Sequence, residues 1–140
     1  MLPFFSRIIL RLLFGVQVRG RLDRHDKLLL VANHQSFLDG ALLGAFLPVM
    51  PVWLLHTTMA RLWYFRIPMK LFPHLVVDTA NPLAMKALVA LVESGRPVLI
   101  FAEGRITVTG GLMKIYDGPA WVAARTGATL VPIHIDGPRY

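Results

Sequence analysis

Four residues separate His34 from Asp39 in Asn33-His34-Gln35-Ser36-Phe37-Leu38-Asp39. If Ser36 caps a helix, Asp39 takes its third position, and its carboxylate can reach back to an imidazole held just outside the helix start. A carboxylate on one ring nitrogen fixes the tautomer and leaves the other nitrogen to accept a proton, which is the wiring of a general base. The same residues also read as a capping box, Ser36-Phe37-Leu38-Asp39, with Asp in place of the commoner Glu or Gln. Capping accounts for Ser36 and Asp39 but leaves Asn33 and His34 unexplained, so both readings stand. A second polar cluster is Glu103-Gly104-Arg105, followed by Thr107, Thr109, Gly110, Gly111 and Lys114. Glycines let backbone N–H groups approach an anion, Arg105 can chelate a phosphate and Lys114 adds a point charge. The bland reading is a Gly-rich surface loop with solvated charges.

Other chemistries fall away by counting. There is no cysteine, hence no disulfide framework, thiolate zinc site or Cys nucleophile. Ser6, Ser36 and Ser94 are the only serines and none lies in G-x-S-x-G. Neither G-x-x-x-x-G-K-[ST] nor G-x-G-x-x-G occurs, which disfavours nucleotide-binding folds. His25, His34, His56, His74 and His134 show no metal-ligand spacing, so no metal is expected. Arg61-Leu62-Trp63-Tyr64-Phe65-Arg66 could stack on nucleic-acid bases. In a chain this apolar, an interfacial aromatic belt or core packing is the better account.

The elements that must position these clusters read as an α/β alternation. Strands are expected at 27–33, 52–57, 74–79, 97–102 and 130–135, and helices at 36–47, 59–71, from Asn81-Pro82 to Gly95, and 117–125 ending at Gly127. Continuously apolar strands between helices imply a largely parallel central sheet flanked by helices on both faces. In such folds function gathers beyond the carboxyl ends of strands, where both polar clusters fall. The chain is one domain in length, and with 55% apolar and 16% charged residues it is not intrinsically disordered.

Fifteen Lys and Arg against eight Asp and Glu give a net charge of +7, and a basic, hydrophobic chain suits an anionic surface of lipid headgroups or phosphate. Residues 1–22 contain no acid, and Arg7 and Arg11 interrupt the apolar run before it reaches spanning length. Four apart, these arginines share one face of a helix, while Phe4, Phe5, Ile8, Ile9, Leu12 and Leu13 cover much of the rest. This pattern fits an amphipathic helix in the membrane interface with its arginines reaching toward headgroups. The competing reading packs that helix on the domain's own core. Residues 1–22 are thus read as a membrane-associating segment and 23–140 as the functional domain, with a carboxyl end that stops without a closing helix, as a truncated domain would.

Asn33-His34-Gln35-Ser36-Phe37-Leu38-Asp39 resembles the N-H-x-S-x-x-D block of the glycerolipid (lysophospholipid) acyltransferase family. Phe101-Ala102-Glu103-Gly104-Arg105 resembles its F-P-E-G-T-R block, and Val131-Pro132-Ile133 its last short block, in the same order. FAEGRITVTGGLMKIYDG is most similar to the subfamily formed by the amino-terminal domains of bacterial 2-acylglycerophosphoethanolamine acyltransferase/acyl-carrier-protein synthetase. The chain departs from the common pattern at Ala102, at Arg105 directly after the glycine, and at Val77-Asp78-Thr79, where an arginine is usual. The resemblance implies an acyltransferase fold with His34 as catalytic base and Asp39 as its partner. It assigns Glu103, Gly104 and Arg105 to the acceptor's phosphate, to which Lys114, by its charge and place in the same segment, is added as a candidate. The implied reaction moves an acyl group from acyl carrier protein or coenzyme A to a lysophospholipid, 2-acylglycerophosphoethanolamine first, with no cofactor beyond that donor. The implied place is the cytoplasmic face of the bacterial inner membrane, with membrane lipids as partners and no nucleic acid. Alternatives are a 1-acylglycerol-3-phosphate acyltransferase and a non-catalytic lipid-binding module at the membrane surface.

Overall fold

A computed structural model describes residues 4–23, 25–63, 66–78 and 81–137. Its elements run α1 (Phe4–Phe14), β1 (Leu28–Ala32), α2 (Leu38–Phe46), β2 (Val52–His56), α3 (Thr57–Ala60), α4 (Arg66–Leu71), β3 (His74–Val77), α5 (Pro82–Glu93), β4 (Val98–Phe101), α6 (Gly118–Thr126) and β5 (Thr129–Ile133). The five strands form one sheet in the order β3-β2-β4-β1-β5, and every pairing is parallel.

Two-residue periodicity divides each central strand between two apolar layers. Leu28, Leu30 and Ala32 of β1 and Leu99 of β4 face the layer closed by Leu42 and Leu43 of α2, together with Trp53 and Phe72. Leu29 of β1 and Val98 and Ile100 of β4 face the opposite layer, built from Leu88 and Val92 of α5 and Val122 of α6. Burial on both faces is why β1 and β4 read as unbroken apolar runs instead of alternating ones.

Local signals set the helix ends. Asn81 Oδ1 accepts the Leu83 N–H at 2.9 Å and Pro82 follows as the first helical residue, so α5 starts where its cap stands. Helix α6 ends on Gly127, whose φ of 67° favours glycine. The helix expected over 59–71 is instead two short ones, α3 and α4. The His56 side chain accepts the Thr58 N–H and starts α3 two residues early, and the Leu62 N–H turns back to the Met59 carbonyl as that helix closes. Trp63 is exposed, while Tyr64 and Phe65 of the same aromatic stretch, and Thr79 at the expected end of β3, lie outside the described residues.

Helix α1 is amphipathic as expected, but it turns Arg7 toward the protein and leaves most of its apolar residues exposed. Arg7 Nε donates to the Ala45 carbonyl and the Arg11 guanidinium lies over the Phe46 ring, 5.5 Å from its centroid. Arg7, half-buried, therefore docks on the last turn of α2, where unpaired carbonyls and the negative end of the helix dipole attract cations, while Arg11 stays exposed above the Phe46 ring. Arg7 thus points into the protein and not toward headgroups, whereas Arg11 remains exposed. The outward face is apolar instead, with Phe5 75%, Leu12 81% and Leu13 70% exposed. Among the described residues, no helix is long and apolar enough to cross a membrane.

Candidate active site

The β1–α2 connection begins at the carboxyl edge of the sheet. Asn33 continues the pairing of β1 with its side chain: Oδ1 accepts the Ile135 N–H at 2.7 Å and Nδ2 donates to the Ile135 carbonyl at 2.8 Å. This bidentate grip ties the loop to the chain leaving β5, and it supplies the role that capping left unexplained.

His34 Nδ1 and Asp39 Oδ2 are 2.8 Å apart. The same oxygen accepts the backbone N–H groups of Gln35 at 2.6 Å and Ser36 at 2.9 Å. Ser36 Oγ accepts the Leu38 N–H at 3.1 Å and donates a longer bond, 3.4 Å, to Asp39 Oδ1. Helix α2 begins at Leu38, so Asp39 is its second residue rather than its third. Capping and base orientation thus coexist in one carboxylate. Asp39 is fully buried, and its charge is offset by these donors and by the amino end of α2. In the neutral ring, a carboxylate on Nδ1 holds the proton there and leaves the Nε2 lone pair free to take another. The His34 side chain is 17% exposed, enough to keep it open to solvent from one side.

Glu103, one of the four residues expected around the acceptor's phosphate, is 3% exposed. Its Oε1 accepts the His34 backbone N–H at 3.1 Å and its Oε2 accepts the Met113 N–H at 2.8 Å. Both oxygens face inward, so this carboxylate joins the β1–α2 loop to the segment after β4. The Thr107 N–H donates to the His34 carbonyl at 2.8 Å and the Tyr116 N–H to the Ala102 carbonyl at 3.1 Å, completing that junction. Gly104 adopts a φ of +66°, so its glycine is required by the turn it makes. Arg105 is exposed directly beyond it, and Lys114, also exposed, holds its Nζ 5.3 Å from the centroid of the Tyr116 ring.

The structure therefore brings His34, Asp39 and Glu103 into one bonded cluster, and leaves Arg105 and Lys114 on the segment that Glu103 ties down. Sequence reading did not assign Phe101 a part. Its ring lies flat against the His34 imidazole, centroids 3.9 Å apart and planes 14° from parallel. The available signal was strand parity, which puts residues 99 and 101 on the α2 side of the sheet.

Comparison with known proteins bears on the fold and on the family. The crystal structure of the 1-acyl-sn-glycerophosphate (LPA) acyltransferase PlsC from Thermotoga maritima is similar, with a TM-score of 0.64 and 18% sequence identity. The match covers 79% of this chain and 44% of that one, so the present chain spans less than half the length of that protein. At this identity the likeness is one of fold. The sequence model of the family described as Acyltransferase matches residues 15–136, nearly the whole chain and both polar clusters. The chain belongs to the acyltransferase family.

Proposed function

We propose that this chain transfers a fatty acyl group from a thioester, carried by acyl carrier protein or coenzyme A, to the free hydroxyl of a lysophospholipid, 2-acylglycerophosphoethanolamine foremost. The observation that carries the reading is the 2.8 Å pairing of His34 Nδ1 with the buried Asp39 carboxylate, on a ring that remains partly open. Nε2 takes the hydroxyl proton as the alcohol oxygen attacks the thioester carbonyl carbon. The tetrahedral intermediate then expels sulfur, and the proton passes from Nε2 to the leaving thiolate. The products are an ester and a free thiol. Asp39 stabilises the imidazolium between the two transfers. Arg105, with Lys114, holds the acceptor's phosphate, and positioning of this kind is worth as much as the base itself. Glu103 and Gly104 serve that site by shaping the segment that presents them.

In this reading residues 23–140 form the acyltransferase domain, and 1–22 hold it to the cytoplasmic face of the bacterial inner membrane. The exposed apolar face of α1 supports that attachment. A 1-acylglycerol-3-phosphate acceptor is the second reading, favoured by the acceptor named for the Thermotoga structure.

Incubation with a labelled acyl donor and a panel of lysolipids, separated by thin-layer chromatography, tests the proposal. Label should move to lysophosphatidylethanolamine in preference to lysophosphatidic acid, and His34→Ala should lower turnover about 10²-fold or more. A folded His34→Ala variant retaining more than about a tenth of the wild-type rate would reject His34 as the base.

A further inference from the structure

Hydrogen bonding to Asp39 fixes one atom of the His34 ring. One hydrogen bond is a soft restraint on the two torsions of the side chain, and small coupled rotations about Cα–Cβ and Cβ–Cγ swing Nε2, on the far side of the ring, through an arc. Removing that motion takes a flat surface against the ring face, and Phe101 supplies one. In the parallel register Phe101 is the partner of Ala32, two residues before His34, so strand parity places the two rings on the same side of the sheet. The small Ala32 side chain leaves that space to them. Phe101 is supported in turn by Trp53, at 6.3 Å between centroids, and Trp53 by Phe72, at 5.7 Å. Trp53 is a buried core residue, so the support reaches back into the α2 layer.

We infer that Phe101 is a positioning residue for the acyl-transfer step, holding the His34 imidazole in the plane that aims Nε2 at the acceptor hydroxyl; this rests on the reading of His34 as the base. The stack also acts selectively on the reacting state. When Nε2 takes the proton, the ring becomes a cation over an aromatic face, and this attraction is absent from the neutral ground state. Binding of the lysophospholipid does not use it. Loss of Phe101 should therefore appear in kcat and leave KM in place.

The test uses the full chain with Phe101→Leu, Phe101→Met as a second non-aromatic replacement, and Phe101→Tyr as the conservative one. In the wild type, the carbon-bound protons of the His34 ring should resonate upfield, shifted by the Phe101 ring current. In the Leu and Met variants that shift should vanish and NMR relaxation should report a more mobile imidazole. Their kcat should fall roughly 3- to 30-fold with lysophospholipid KM within about twofold of wild type, and Phe101→Tyr should restore both ring order and rate. Absence of the ring-current shift in the wild type overturns the inference whether or not the variants fold. An imidazole equally ordered in folded Leu or Met variants, or an unchanged kcat, also overturns it. A wild-type chain that transfers no acyl group sinks the proposed function instead, and the ring-order measurement still decides the part played by Phe101.

Discussion

The Oε1 atom of Glu103 accepts the backbone N–H of His34 at 3.1 Å, so a side chain two residues beyond strand β4 anchors the main chain of the base. Asp39 and Phe101 hold the side chain of the same residue, by a hydrogen bond and by ring stacking. His34 is thus gripped at its amide by the segment after β4, at one ring nitrogen by the first turn of α2 and on one ring face by the end of β4.

Replacing Glu103 by Gln keeps the shape of the side chain and turns one acceptor into a donor. Either the His34 or the Met113 N–H then faces an NH2 group and loses its buried partner, at a cost of about 1–3 kcal/mol. Thermal melting of Glu103→Gln should show Tm lowered by several degrees, and kcat should fall with it. Unchanged Tm and kcat with a raised lysophospholipid KM would return Glu103 to direct contact with the acceptor.

Asp39→Asn and Asp39→Ala should separate the two tasks of that side chain. The amide oxygen of Asn can still accept the converging N–H groups, so Tm should change little, whereas the imidazolium loses its counter-charge and kcat should drop by roughly 10²-fold. Ala removes the acceptor as well, leaves the Gln35 and Ser36 N–H groups without it, and should destabilise the β1–α2 junction by about 1–3 kcal/mol or more. Melting curves beside steady-state kinetics check both; equal kcat for Asn and wild type would leave Asp39 as a cap alone.

Arg105 is exposed and lies outside the core, so Arg105→Ala should leave stability within about 0.5 kcal/mol of wild type. Loss of charge-assisted bonds to a phosphate should raise the lysophospholipid KM roughly tenfold or more, with kcat less affected. An unchanged KM would move the anion site away from this segment.

The outward face of α1 makes a further prediction for vesicle binding. Leu12 is 81% exposed, so Leu12→Glu should spare Tm while weakening partition into anionic liposomes about tenfold or more, the effect of losing one buried leucine on the membrane side. Arg7→Ala should do the reverse at first order, lowering Tm by loosening α1 from the end of α2. Flotation unaltered by Leu12→Glu would remove α1 from the membrane contact.

The layered α/β architecture was legible in the chain's residues alone, because strands buried on both faces must be apolar throughout and the intervening helices must carry their own caps. Asn81-Pro82 and Gly127 marked helix ends through local backbone chemistry, which depends on near neighbours alone. The His34–Asp39 pair was legible for the same reason: a loop of four intervening residues keeps both groups within reach. The fates of Glu103, Phe101 and α1 were not. Glu103 and His34 are 69 positions apart, and only the pairing of β4 beside β1 turns a carboxylate that reads as part of an anion loop into a clamp on backbone N–H groups. The same register lays Phe101 on the imidazole. Likewise an amphipathic pattern defines two faces of α1 without saying which one meets the protein. The unpaired Ala45 carbonyl ending α2 decided that, drawing Arg7 inward and leaving apolar side chains outside, because a contact between distant segments is set by what each finds across the packed fold and not by what adjoins it in the chain.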